Sequence, residues 1–148
     1  MALLYLAQRE YGLITKGALL EVSALAGLDP TQVAGLTGFY SLFQDRPKGK
    51  RCIRICTDLS CSLRGADQFA ADLCANLGVK LGQTTPDGEF TVEAVSCLAG
   101  CDKAPLFQVE DRGGVHYFES ESADRPMTTD RAMDILNNLP KEGRGVSP

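Results

Sequence analysis

A chain of 148 residues, 44% hydrophobic and 23% charged, has the mix of a globular protein and room for one domain plus a small appendage. Its formal net charge of −4 speaks against a nucleic-acid partner, which asks for a basic stripe. No apolar run approaches the roughly 20 residues that span a bilayer, and the single histidine, His116, excludes a zinc hydrolase built on several histidines.

The first stretch, 1–43, reads as helical. Leu3, Leu6 and Ala7 recur at helical spacing and Gly12 ends the run. Without a basic leader or small-residue cleavage site, this start reads as structure rather than a secretion signal, so a reducing compartment is expected. Thr15 is placed to cap a second helix carrying Leu19, Leu20, Val22, Leu25 and Ala26, stopped by Gly27. Asp29-Pro30 opens a third through Val33 and Leu36. Residues 38–43, with Phe39, Tyr40 and Phe43, read as an extended aromatic connector, either an interface patch or a cover for this chain's own core. The polar segment 45–50 then marks a boundary.

Beyond it, strands and helices alternate. The β-branched run 52–56 predicts a strand, and Ala66, Ala70, Leu73, Cys74 and Leu77 line one face of a helix over 64–77, closed by Gly78. Pro86-Asp87-Gly88 is a turn before a strand over 90–95. Segments 106–109 and 115–118 predict a hairpin around Arg112-Gly113-Gly114, with His116 an ordinary strand residue. Thr128 or Thr129 can cap a last helix with Ala132, Ile135, Leu136 and Leu139. The order β-α-β-β-β-α predicts a mixed α/β fold: a helical segment over 1–46, then a thioredoxin-like domain over 47–140 with one small sheet and two helices. A frayed tail follows at 141–148.

Six cysteines carry the chemistry. Cys56 and Cys61 enclose four residues; Cys97 and Cys101 enclose three. Each pair follows a predicted strand, and two loops at one sheet edge can gather four thiolates around a compact iron–sulfur centre. Structural zinc competes, although its knuckles usually leave two residues between paired ligands. Disulfides and free buried thiols also compete. A four-iron site favours denser two-residue gaps. Cys74 falls on the apolar face of a helix, where a free thiol acts as a small hydrophobe. Cys52 and Cys56 share a strand face about 13 Å apart, so only one of them can grip a small centre, and Cys56 is better placed at the strand end.

Three segments make a resemblance specific: Cys56-Thr57-Asp58-Leu59-Ser60-Cys61-Ser62-Leu63-Arg64-Gly65-Ala66, the turn at 82–90, and Cys97-Leu98-Ala99-Gly100-Cys101-Asp102-Lys103-Ala104-Pro105. Together they resemble the thioredoxin-like [2Fe–2S] ferredoxins, and within them the branch found in the NADH:quinone oxidoreductases of respiratory complex I; 31–41 is also similar to that branch. The resemblance implies a [2Fe–2S] cluster on Cys56, Cys61, Cys97 and Cys101. It also implies a partner flavoprotein subunit that holds FMN and NAD(H) and exchanges single electrons with the cluster. Neither a G-x-G-x-x-G after a strand nor a phosphate loop is present, so the chain is expected to lack a complete active site of its own. The expected setting is cytoplasmic, peripheral to the inner membrane within a larger complex, with no membrane insertion and no nucleic acid. An NAD-linked hydrogenase or formate dehydrogenase would use the same module, and a zinc-stabilised interaction protein is the rival from another class. Against the resembling family, the N-terminal helical region is short and 110–126 is long and acidic; the first implies a reduced or differently supplied docking surface, the second a projecting hairpin. Arg64 and Lys103 are either cluster-tuning cations or solvated surface charge, and Pro105 is expected to fix the exit of the second loop.

Overall fold

The computed structural model describes residues 1–40, 42–111 and 114–139. Two compact units divide the chain, the first Met1–Pro47 and the second beginning at Lys48.

In the first unit α1 (Ala2–Tyr11), α2 (Lys16–Ala26) and α3 (Pro30–Phe39) are delimited by the expected chemistry. Thr15 accepts from the Ala18 amide at the start of α2, and Gly12 and Gly27 close the first two helices in the left-handed conformation. Asp29 and Gln32 form a reciprocal capping box before the first-turn Pro30. Leu4, Ala7, Ile14, Ala18, Val22, Val33 and Phe43 make the core of this unit. The structure corrects the reading of 38–43 as extended: α3 continues through Gly38 and Phe39, because the Tyr40 amide still bonds the Leu36 carbonyl. The aromatic group then splits, Phe43 buried in the helical core while Phe39 and Tyr40 are exposed. Ser41 lies outside the described residues.

The second unit is a four-stranded sheet in the order β2-β1-β3-β4. Strand β1 (Arg51–Cys56) pairs parallel with β2 (Phe90–Val95) and antiparallel with β3 (Leu106–Asp111), which hairpins into β4 (Gly114–Glu119). The tip, Arg112-Gly113, and the tail 140–148 lie outside the described residues. His116 is an exposed residue of β4. One sheet face carries Ile53, Ile55, Val92, Phe107 and Val109 and is packed by Phe69, Ala70, Leu73 and Cys74 of α5 (Ala66–Leu77) and by Ala132 and Leu136 of α6 (Thr129–Asn138). Each such large apolar side chain contributes about 1.5–3 kcal/mol by leaving water. Thr128 is the residue that caps α6.

The helix expected over 64–77 is α5, closed by Gly78 as read, and a short helix that the sequence reading did not include, α4 (Leu59–Ser62), precedes it. Asp58 caps α4 by accepting from the Leu59 amide, and Gly65, at φ 86°, breaks the chain before α5 starts.

Candidate metal centre

Period-2 alternation puts Cys52, Arg54 and Cys56 on the sheet face opposite the helix-packed core. Cys56 is the last residue of β1 and pairs with Val95, the last residue of the parallel β2. The chain leaving β2 reaches Cys97 two residues later. Strand β3 is antiparallel to β1 and pairs Phe107 with Ile55, so the loop carrying Cys101 enters it at the same sheet edge. Pairing directions alone bring the two cysteine loops together. The small cluster of Cys56, Cys61, Ala66, Ala104 and Leu106, with Leu98 packed against it, holds them there.

Cys56 and Cys61 are buried, whereas Cys97 and Cys101 are exposed. The Cys97 and Cys101 sulfurs stand 3.7 Å apart. That excludes the roughly 2.05 Å bond of a disulfide. It matches two thiolates on one tetrahedral metal, which bonds of about 2.3 Å set about 3.8 Å apart. Burial, then a hydrogen bond with Cys56, push the Cys61 thiol well above its ordinary value, and the charges of Cys101 and Cys97 add to the rise. Cys101 is raised chiefly by its hydrogen bond to Cys97 and then by that thiol's charge, while Ser60 opposes the rise. Two thiols, Cys61 and Cys101, held protonated by neighbouring thiols suit a centre whose cations supply the compensating charge. Among the described residues, no three His, Cys, Asp or Glu side chains gather as a single ion would require. The thiols come as two pairs, Cys56 with Cys61 and Cys97 with Cys101.

The second loop is shaped to approach a sulfur closely. Ala99 takes φ 63°, unusual for a residue with a Cβ, and its amide donates to Cys97 Sγ at 3.3 Å. A Cβ on Gly100 would come 2.9 Å from Leu106 Cδ1, so the loop lies flat on that leucine. The Ala104–Pro105 bond is cis, and the Pro105 carbonyl accepts from Ser120 Oγ at 3.0 Å. Leu59 and Leu63 flank Cys61 in sequence and are 71% and 79% exposed.

The remaining cysteines lie elsewhere. Cys74 is buried in the main core. Cys52 sits in a charged network in which Lys48 Nζ lies 2.8 Å from Glu93, and Arg54 reaches Glu93 at 3.5 Å and Glu110 at 2.7 Å. Missed in the sequence were α4 and the contact of Arg64 with the second cysteine loop; the Asp58 cap signalled the helix, whereas nothing local signalled the contact.

The sequence pattern of the family described as thioredoxin-like [2Fe-2S] ferredoxin matches residues 1–139. Relatives include NADH-quinone oxidoreductase subunit 2 of Thermus thermophilus, 42% identical over 75% of this chain and 61% of that protein. A further NADH-quinone oxidoreductase subunit, from Aquifex aeolicus, is 37% identical over 77% of this chain and 70% of that protein. The chain spans a little under two thirds of the length of several such relatives. In fold, it is similar to a chain in the crystal structure of an NAD+-reducing [NiFe]-hydrogenase, with TM-score 0.66 and 23% identity over 98% of this chain and 25% of that one.

Proposed function

The chain belongs to the thioredoxin-like [2Fe–2S] ferredoxin family, and we propose that it carries one [2Fe–2S] cluster on Cys56, Cys61, Cys97 and Cys101 as an electron-transfer subunit. The observation that carries this reading is the convergence of two thiol pairs, one buried and one exposed, at a single sheet edge. When bound, the cluster supplies one-electron chemistry. The protein's own residues hold it: Cys56 and Cys61 anchor it from the core, Cys97 and Cys101 present it to solvent, and the Ala99 amide directs a donor at Cys97 sulfur.

The larger setting is a multisubunit NADH:quinone oxidoreductase, where a partner flavoprotein holds FMN and NAD(H) and exchanges single electrons with this subunit. Identities of 34–42% to subunits of that type support the setting, as does the exposure of Leu59 and Leu63 on either side of Cys61. The cluster domain spans 47–140 in this reading, with 1–46 a separate helical segment. Among the described residues no helix is long and apolar enough to cross a membrane. The place that goes with the proposed setting is cytoplasmic, peripheral to the inner membrane. The hydrogenase likeness keeps an NAD-linked hydrogenase as the second reading.

Anaerobic purification followed by iron, zinc and acid-labile sulfide analysis tests the proposal, with EPR after dithionite. Two irons, two sulfides and a paramagnetic signal on reduction are expected. Stoichiometric zinc without sulfide or signal would sink the cluster and leave the zinc-stabilised interaction protein. Co-purification with a flavoprotein and membrane-arm subunits, rather than with a hydrogenase, separates the two settings.

A further inference from the structure

The turn carrying Cys61 and the loop carrying Cys101 are joined by one side chain. Arg64, three residues past Cys61, donates from Nη1 to the Asp102 main-chain carbonyl at 2.9 Å, across 38 residues of sequence. Asp102 directly follows Cys101. The bond therefore ties one cysteine pair to the other at their exposed side.

The charges nearby are not equivalent. Lys103 is paired with Glu119, whose hydrogen bond and then charge hold the ammonium above its ordinary value. Lys48 faces Glu93, and Arg54 faces Glu93 and Glu110. Arg64 meets a neutral carbonyl, and among the described residues no carboxylate lies within ion-pair reach of it. An arginine stays charged at any working pH, and its planar fork can bond a carbonyl with charge to spare for its surroundings.

We propose that Arg64 is a positioning residue for the cysteine site, holding the two loops in register and contributing an unbalanced positive charge that favours reduction of the group they hold. The inference rests on the four-cysteine reading above. Reduction adds one electron and hence one negative charge, so a fixed cation stabilises the reduced state more than the oxidised one.

The test uses the full chain, loaded with its cluster, as wild type, Arg64→Gln and Arg64→Lys. Each is titrated with dithionite under EPR at low and high salt. Arg64→Gln should be about three- to tenfold less reduced at a fixed potential, where tenfold corresponds to about 59 mV for a one-electron couple. The gap should shrink at high salt, as it must for an exposed charge. Arg64→Lys, which keeps the charge, should stay within about twofold of wild type. Both variants should surrender iron to a chelator severalfold faster, because both lose the guanidinium bond from Nη1 to the Asp102 carbonyl. A normal signal with equal potentials in wild type and Arg64→Gln overturns the charge role, and unchanged iron loss in both variants overturns the clamp. No two-iron signal in wild type would instead sink the four-cysteine reading itself.

Discussion

The Cys52 thiol donates to Glu93 Oε2 across the β1–β2 ladder, with sulfur and oxygen 3.3 Å apart. Burial first, and the Glu93 charge second, push this thiol up to about 12. Glu93 is itself desolvated, yet hydrogen bonds from Lys48 and Cys52 hold its carboxyl below the ordinary range. Cys52 is thus a protonated member of a polar network, four residues of strand away from the cysteine site.

Cys52→Ser should therefore keep the cluster, while serine at Cys56, Cys61, Cys97 or Cys101 should weaken or abolish it. Visible absorption and EPR of the purified variants read the difference. Cluster loss on changing Cys52, with retention on changing Cys56, would show the ligand register to be wrong.

The same thiol gives a pH dependence. Its folded pKa lies above the unfolded value near 9, so the stability it contributes is complete below pH 9 and is lost as pH rises towards about 12. Unfolding midpoints measured by circular dichroism should fall across that window. The fall should be smaller in Cys52→Ser, whose hydroxyl does not ionise there.

Cys74→Ser should load normally but fold less stably, by about 1–3 kcal/mol, because a hydroxyl replaces a thiol among Phe69, Leu73 and the other core residues. Urea denaturation measures the loss, and iron content should stay at the wild-type level.

Gly49 and Gly100 should separate in severity. A Cβ at Gly49 would sit 2.9 Å from the Glu89 carbonyl oxygen and from the Phe90 carbonyl carbon, backbone atoms at the start of β2. At Gly100 the obstacle is the end of a leucine side chain, which can rotate. Gly49→Ala should cost about 2–3 kcal/mol and Gly100→Ala about 1 kcal/mol. Leu106→Val should offset part of the second cost alone, a coupling that a double-mutant cycle reads.

Ala99→Gly should raise stability by up to about 1 kcal/mol, since the left-handed conformation that alanine resists is free to glycine. The amide that donates to Cys97 is unchanged, so the EPR line shape should be preserved while the thermal midpoint rises.

Most element positions were legible because their causes are local. Thr15, Asp29 and Gly27 mark helix ends through hydrogen bonds and dihedrals reaching only a few residues. The strands 51–56 and 90–95 announced themselves by β-branched runs. Where local signs conflicted, the reading slipped: glycines and aromatics at 38–43 suggested an extended chain, but the Leu36–Tyr40 hydrogen bond carried the helix on. The helix α4 went unread because its four residues, Leu59 to Ser62, are too few to show a helical period, although Asp58 caps it.

The spacing of Cys56, Cys61, Cys97 and Cys101, with the segments around them, by itself determined the family and the candidate ligands, because such spacings are covalent facts of the chain. Only the tertiary structure decided what surrounds them. Parallel pairing of β1 with β2 and antiparallel pairing with β3 brought the two loops to one edge. The same register gave Cys52 to Glu93, Lys103 to Glu119 and Arg64 to the Asp102 carbonyl. Those partners lie 16 to 41 residues apart. Contacts of that range are set by strand order and packing, which no local window of sequence encodes.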